Sequence, residues 1–280
     1  MKKSWWYLVA WRLVRLAVLL YLVLLALVFF AQRKMIYVPA KGSFDEMEKF
    51  AAARGFQAWQ GKSGYIGWKH IDEPARGRPQ LLIIHGNAGC AADRINYADG
   101  LRQVQPMDVY ILEYPGYGAR LGNPSEKSFF AAGSEAIEQL RGNGPVYIMG
   151  ESLGTGVAAY LAGTYPEMVR GMLLIAPYNN LAAVAASKMP IFPTRWLLLD
   201  RFASEDHLKN YHGPIAMLFA GQDVVVPNRF GHKLYDGYQG PKIFWQVPEA
   251  GHNDLLDEPD SRWKEIVQFW KTNAPPHTGP

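Results

Sequence analysis

Residues 146–154 read Val146-Tyr147-Ile148-Met149-Gly150-Glu151-Ser152-Leu153-Gly154, and the chain continues through an Ala- and Leu-rich stretch to Thr164. Four apolar residues ending at a glycine suit a strand buried on both faces, and Leu153–Thr164 suits a helix. The serine then falls on a sharp strand-to-helix turn. The glycines let neighbouring backbone come close, and the hydroxyl points out past the carboxyl end of the sheet. The N–H of Leu153 stands at a helix N-terminus, where it can stabilise an oxyanion. Read alone, the motif could also be a glycine-rich turn without chemistry.

Similar runs lie on either side. Leu81–Ile84, Val109–Leu112, Met172–Ile175, Ala216–Phe219 and Ile243–Val247 are short and apolar, each bounded by Gly, Pro, Asn or Asp. Ser125–Leu140, Asn228–Tyr238 and Pro259–Thr272 read as helices between or after them. This alternation predicts an α/β fold with a mostly parallel twisted sheet and helices on both faces. Gly64–Ile71 reads as an antiparallel strand at the edge, and the Pro-rich tail from Ala274 is expected to fray. Between Tyr178 and Gly213 no strand is evident. Residues 179–212 are read either as a small helical lid or as a long crossover that packs on the core.

Three further motifs follow predicted strands. After Leu81–Ile84 comes His85-Gly86-Asn87-Ala88-Gly89, a loop placed to supply a second oxyanion donor from the Asn87 N–H. His85 is read as structural, since a base so early would break the order Ser, acid, His that such an elbow demands. After Ala216–Phe219 comes Gly221-Gln222-Asp223, which places Asp223 just past a strand end. There it serves as a triad acid or as a turn residue capping the next helix. After Ile243–Val247 comes Ala250-Gly251-His252-Asn253-Asp254, where His252 reaches inward from a loop. It is read as the base in preference to a metal ligand, because no second His or Cys stands near it at ligand spacing. The order oxyanion loop, Ser152, Asp223, His252, each after a strand, carries more than any motif alone.

With these residues the chain resembles the α/β-hydrolases over about residues 35–272. Tyr114-Pro115-Gly116-Tyr117-Gly118, Ile36-Tyr37-Val38-Pro39, Arg201-Phe202 and Gly251-His252-Asn253-Asp254 are similar to single-pass α/β-hydrolase domain-containing lipases and acyl-thioesterases. Serine aminopeptidase-like hydrolases are close relatives. The resemblance implies Ser152 as nucleophile, Asp223 as acid and His252 as base, in an acyl transfer that requires no metal or organic cofactor. A small-molecule ester, thioester or lipid is the expected substrate. A peptidase is the alternative, for which Glu151 is the one local acid that could receive a peptide amino terminus, unless it faces solvent. A catalytically silent binding protein is the alternative from another class. Ser at position 152 excludes an Asp-nucleophile dehalogenase or epoxide hydrolase.

The N-terminus differs in composition. The chain has 280 residues, 49% of them hydrophobic, and a net charge of +4. Residues 1–44 hold seven lysines and arginines and no acid, so the remainder carries 22 basic against 25 acidic residues. The excess is local, which argues against nucleic acid as a partner. Leu16–Ala31 is uncharged and spans about 24 Å as a helix, against a hydrocarbon core of roughly 30 Å. Leu13 and Val14 extend it if Arg12 and Arg15 snorkel, and Trp5, Trp6, Tyr7 and Trp11 form an aromatic belt. Residues 1–34 are therefore read as an uncleaved membrane anchor, with 35–280 as the catalytic domain. Phe29-Phe30-Ala31 makes a poor signal-peptidase site. The basic flank sets the N-terminus in the cytoplasm and the domain outside. No Asn-x-Ser/Thr sequon with x other than Pro occurs, which leans toward a bacterial periplasm. The single cysteine, Cys90, excludes an internal disulfide framework.

Overall fold

The computed structural model describes residues 2–72, 77–256 and 259–274. The expected tail after residue 274 lies outside them. Helix α1 (Lys2–Ile36) leads into a two-residue strand, Val38–Pro39, and α2 (Phe44–Ala52). The main sheet is built from β1 (Phe56–Gly61), β2 (Gly64–His70), β3 (Gln80–Ile84), β4 (Asp108–Leu112), β5 (Val146–Glu151), β6 (Val169–Ile175), β7 (Ile215–Ala220) and β8 (Lys242–Val247). Its spatial order is β8-β7-β6-β5-β3-β4-β2-β1. The six strands β3 to β8 pair in parallel, while β1–β2 and β2–β4 are antiparallel. The strand order reverses between β5 and β3, so the carboxyl ends of those two strands flank the crevice where such sheets hold ligands.

The remaining helices are α3 (Asp99–Val104), α4 (Glu126–Leu140), α5 (Leu153–Thr164), α6 (Leu181–Lys188), α7 (Thr194–Leu197), α8 (Ser204–His207), α9 (Asn228–Gly237) and α10 (Asp260–Asn273). They cover both faces of the sheet. Leu82, Ile84, Ile148 and Met217 face one core with Phe129, Val157 and Leu234 of α4, α5 and α9. Leu81, Ile83, Met149 and Leu218 face the other with Leu101, Trp263 and Trp270 of α3 and α10. Side chains alternate across each strand, so strands buried on both faces read as unbroken apolar runs. Ser125 caps α4, its Oγ accepting the Ser128 N–H at 3.0 Å.

The structure differs from the sequence reading at one sheet edge. Gly64–His70 is not outermost, because Phe56–Gly61 pairs outside it. In that outer strand Phe56 and Trp59 are the buried pair. Those two stand three residues apart, so the two-residue alternation that would have marked a strand is absent. The ladder also shifts register between Trp59 and Gln60, where Ile66 of β2 is the extra residue. Residues 179–212 contain α6, α7 and α8.

Helix α1 is apolar around most of its surface, yet one stripe of it touches the domain. Tyr21 Oη donates to the Ile191 carbonyl at 2.9 Å, and Gln32 Oε1 accepts the Leu199 N–H at 2.8 Å. Arg33 meets Asp200 at 2.8 and 3.1 Å, and Tyr37 Oη donates to the same carboxylate at 3.0 Å.

Candidate active site

Strand β5 delivers Ser152 to the start of α5 in a conformation that few side chains adopt, with φ at +48° and ψ at −115°. Such a backbone costs on the order of 1–3 kcal/mol and persists only where its surroundings hold it. Here the surroundings are three close approaches. A Cβ on Gly154 would stand 2.3 Å from the Ile84 carbonyl oxygen, and one on Gly150 would stand 2.9 Å from the Gly154 carbonyl oxygen. A Cβ on Gly86 would meet the Ser152 Cβ at 3.5 Å. Gly154 thus lets the turn press against the end of β3, Gly150 makes room for the first turn of α5, and Gly86 brings the loop after β3 into ordinary contact with Ser152.

The structure brings together the three side chains that the sequence places apart. His252 Nε2 lies 2.9 Å from Ser152 Oγ, and His252 Nδ1 lies 2.7 Å from Asp223 Oδ2. Asp223 stands just beyond β7 and His252 just beyond β8. The other Asp223 oxygen accepts the N–H groups of Val225 and Val226 at 2.8 and 2.7 Å. The Asp223 side chain is fully buried, and that of His252 is 10% exposed. The turn role and the pairing with histidine thus coexist in Asp223, one oxygen each.

The loop after β3 is held by Glu113, which no motif marked, and by two tyrosines of the Tyr114–Gly118 motif. Glu113 accepts the Ala91 N–H and faces His85 Nε2 at 3.2 Å, while Tyr114 Oη donates to the His85 carbonyl at 2.9 Å. His85 is fully buried, in keeping with a structural part. The Asn87 side chain turns to the chain leaving α1. Its Nδ2 donates to the Ile36 carbonyl, and its Oδ1 accepts from Val38 N–H at 3.3 Å and Tyr117 Oη at 3.0 Å. Ala88 and Gly89 pair in parallel with Val38 and Pro39. The loop after β3 is therefore stitched to the end of α1.

Glu151 does not face solvent. It is 8% exposed, and Arg94 grips it with Nε and Nη2 at 2.9 and 3.2 Å while the Gly86 N–H donates to Oε2 at 3.2 Å. Burial pushes the Arg94 guanidinium down, but its hydrogen bonds and charge contact with Glu151 more than offset this and leave it raised. Both Glu151 oxygens are engaged within the chain, so neither stands open to a peptide amino terminus. The sequence signal for Arg94 was faint, because nothing in local spacing connects position 94 to 151.

Comparison with known proteins agrees with this architecture. A family profile described as alpha/beta hydrolase fold matches residues 79–203. An uncharacterized protein of Mycobacterium tuberculosis is 32% identical over 235 residues, covering 81% of this chain and 83% of that one. Lysophosphatidylserine lipase ABHD12 of Rattus norvegicus is 30% identical over 199 residues, covering 64% of this chain and 50% of that protein. The chain thus spans about half the length of that lipase. Among solved structures, the Pyrococcus furiosus esterase Pf2001 superposes with a TM-score of 0.59 at 11% identity, covering 85% of this chain and 96% of the other. Est1E from Butyrivibrio proteoclasticus, bound to ferulic acid, gives 0.58 at 15% identity, covering 70% and 91%. Fold, profile and relatives agree: the chain belongs to the α/β-hydrolase family.

Proposed function

We propose that this chain is a membrane-anchored serine hydrolase that cleaves carboxylic ester or thioester bonds of acyl or lipid-like substrates. The hydrogen-bonded series Ser152–His252–Asp223 on a strained turn is the observation that carries this reading. In the proposed reaction His252 Nε2 takes the Ser152 proton as Oγ attacks the acyl carbonyl. Asp223 holds the imidazole through Nδ1 and stabilises its positive form. The N–H groups of Asn87 and Leu153 receive the developing oxyanion, each such donor being worth about 2.7–4 kcal/mol. His252 then protonates the leaving alcohol or thiol, and water hydrolyses the acyl-enzyme.

Residues 1–34 act in this proposal as a single-pass anchor with a cytoplasmic N-terminus, and 35–280 as the extracytoplasmic catalytic domain, with 179–212 as its lid or crossover segment. The apolar α1 and the similarity to lysophosphatidylserine lipases support a lipid acyl ester as substrate. Engagement of Glu151 by Arg94 weighs against the peptidase alternative.

The test is fluorophosphonate labelling of the full chain and its Ser152→Ala variant, followed by hydrolysis of an acyl ester and thioester series. Labelling should vanish in the variant and hydrolysis should show a chain-length optimum. Equal labelling of both proteins would overturn the assignment of Ser152.

A further inference from the structure

The segment Met189–Leu199 reads Met-Pro-Ile-Phe-Pro-Thr-Arg-Trp-Leu-Leu-Leu and connects α6 to the end of the lid region. It packs along the second half of α1. Leu25, Val28, Phe29 and Gln32 form one face of that helix and line a small cavity with Phe192, Leu197 and Leu198. The rings of Tyr21 and Phe192 stack with centroids 6.3 Å apart. The contact stripe reaches from Tyr21 to Arg33, twelve residues or about 18 Å of helix.

Depth follows from this contact. If Arg33 sits at the outer interface, Tyr21 lies beyond the middle of a core roughly 30 Å thick. A segment packed against Tyr21 shares its depth. We infer that Met189–Leu199 is a second membrane-embedded element, lying beside α1 among the lipid acyl chains; this rests on the proposed reading of α1 as a spanning helix.

Two observations favour the lipid occupant. First, the side of the segment turned away from α1 is apolar and open, with Ile191 69%, Trp196 82% and Leu199 52% exposed. That surface is continuous with the exposed apolar surface of α1 itself. Second, irregular backbone within a bilayer must find its hydrogen bonds inside the protein. Here α1 supplies three of them, from Tyr21 and Gln32. Tyr21 satisfies the Ile191 carbonyl, while Gln32 accepts the Leu199 N–H and donates to the Leu197 carbonyl at 3.4 Å. Pro190 and Pro193 carry no N–H, and Phe192 N–H is taken by the Met189 carbonyl. The charges lie at the ends or on long stems. Lys188 Nζ donates to the Val224 carbonyl, and Arg195 is exposed, with a stem long enough to reach headgroups.

The Lys188 contact also places the Asp223–Val225 loop beside this segment, with Val224 79% and Val225 50% exposed.

The test uses the full chain in phosphatidylcholine–phosphatidylglycerol vesicles, with single cysteines carrying an environment-sensitive fluorophore. Cys90 is buried and is the single native cysteine, so Ile191→Cys, Trp196→Cys, Leu24→Cys on α1 and Lys271→Cys on α10 can be labelled one at a time. Each variant is first matched to the parent in thermal unfolding. Fluorophores at 191 and 196 should be quenched by doxyl-labelled lipid to an extent comparable with that at 24 and be untouched by aqueous iodide, with the reverse at 271. Iodide quenching at 191 and 196, with lipid quenching retained at 24, overturns the inference and leaves the anchor standing. Iodide quenching at all four positions overturns the anchor reading and the inference together. Protection of 191 and 196 from both quenchers, with cross-linking between chains, assigns the face to a second copy and overturns the lipid occupant.

Discussion

Arg94 and Glu151 meet through two charge-assisted hydrogen bonds, at 2.9 and 3.2 Å, directly behind the turn that carries Ser152. The same arginine donates to the Ala88 carbonyl at 3.1 Å, so one guanidinium joins the serine turn to the loop facing it. Arg94→Ala would leave a buried carboxylate with only neutral donors, the Gly86 N–H and the Tyr97 hydroxyl. The expected loss is about 3–5 kcal/mol, the usual cost of stripping one partner from a buried pair. Arg94→Lys keeps the charge and loses the planar fork, so its loss should be smaller. Chemical denaturation of the detergent-solubilised protein measures both.

Gly154 packs against backbone rather than side chains. A methyl group there would stand 2.3 Å from the Ile84 carbonyl oxygen and 2.6 Å from that of His85. Neither strand end can move without shifting the oxyanion loop. Gly154→Ala should cost about 3 kcal/mol, at the upper end of ordinary overpacking. At Gly237, the last residue of α9, nothing lies within 4 Å of the added atom. Gly237→Ala should therefore be neutral or stabilising by a few tenths of a kcal/mol to about 1 kcal/mol. Thermal unfolding of the two variants side by side separates contact from chain entropy.

The side chain of Asn87 bridges Ile36, Val38 and Tyr117, while its backbone N–H is the proposed oxyanion donor. Asn87→Ala would free the loop from the chain leaving α1. A net loss of about 1.4 kcal/mol in the placement of that N–H is about tenfold in rate. The expected result in steady-state hydrolysis of a p-nitrophenyl ester is a kcat about tenfold lower with KM little changed.

Burial lowers the pKa of His207, and burial together with the Arg102 charge lowers that of His70. In the unfolded chain an imidazole takes up its proton near pH 6.5. The native state resists that proton, so the unfolded state binds more protons as pH falls. Stability present above about pH 7 is thus lost as pH drops through about 6.5. The unfolding temperature should fall between pH 7.5 and 5.5, and His207→Gln should flatten part of that fall. A steeper slope in the variant would contradict this assignment.

Burial, with help from the Glu113 and Asp93 charges, pushes the Cys90 thiol up to about 12. The thiolate is the reactive form, so the native thiol should be inert to maleimide at pH 7.5 and react once the chain is denatured. Mass spectrometry after timed labelling reads the difference.

The five inner parallel strands β3 to β7 were legible because each is buried on both faces and reads as an apolar run; β8 also reads as one, although it lies at the sheet edge and is only half-buried. The helix starts at Ser125 and Leu153 were legible from a cap and a Gly-x-Ser-x-Gly turn. Ser152, Asp223 and His252 could be named because each follows a strand, in an order the topology permits. What stayed hidden depends on pairing across the fold. Phe56–Gly61 was obscured because its buried residues Phe56 and Trp59 stand three apart, and Glu113 and Arg94 look like any other charged residues until β4 and the helical turn after Cys90 bring them beneath the serine loop. The polar residues Tyr21 and Gln32 lie within the apolar α1 and carry no local sign of a role. Their partners at Ile191, Leu197 and Leu199 are about 170 residues away, at separations of 165 to 170 along the chain.

The stitching of α1 to the domain bears on how the protein can be handled at the bench. Removing residues 1–34 to obtain a detergent-free preparation would delete Tyr21, Gln32 and Arg33 together. Asp200, now 3% exposed, would keep only the Tyr37 hydroxyl, and Phe192, Leu197 and Leu198 would lose their cover. Such a shortened chain gains a fresh sticky face at the moment it loses its greasy helix. Poor yield or clumping of that fragment would then report a torn interior, and says nothing against the integrity of the parent enzyme.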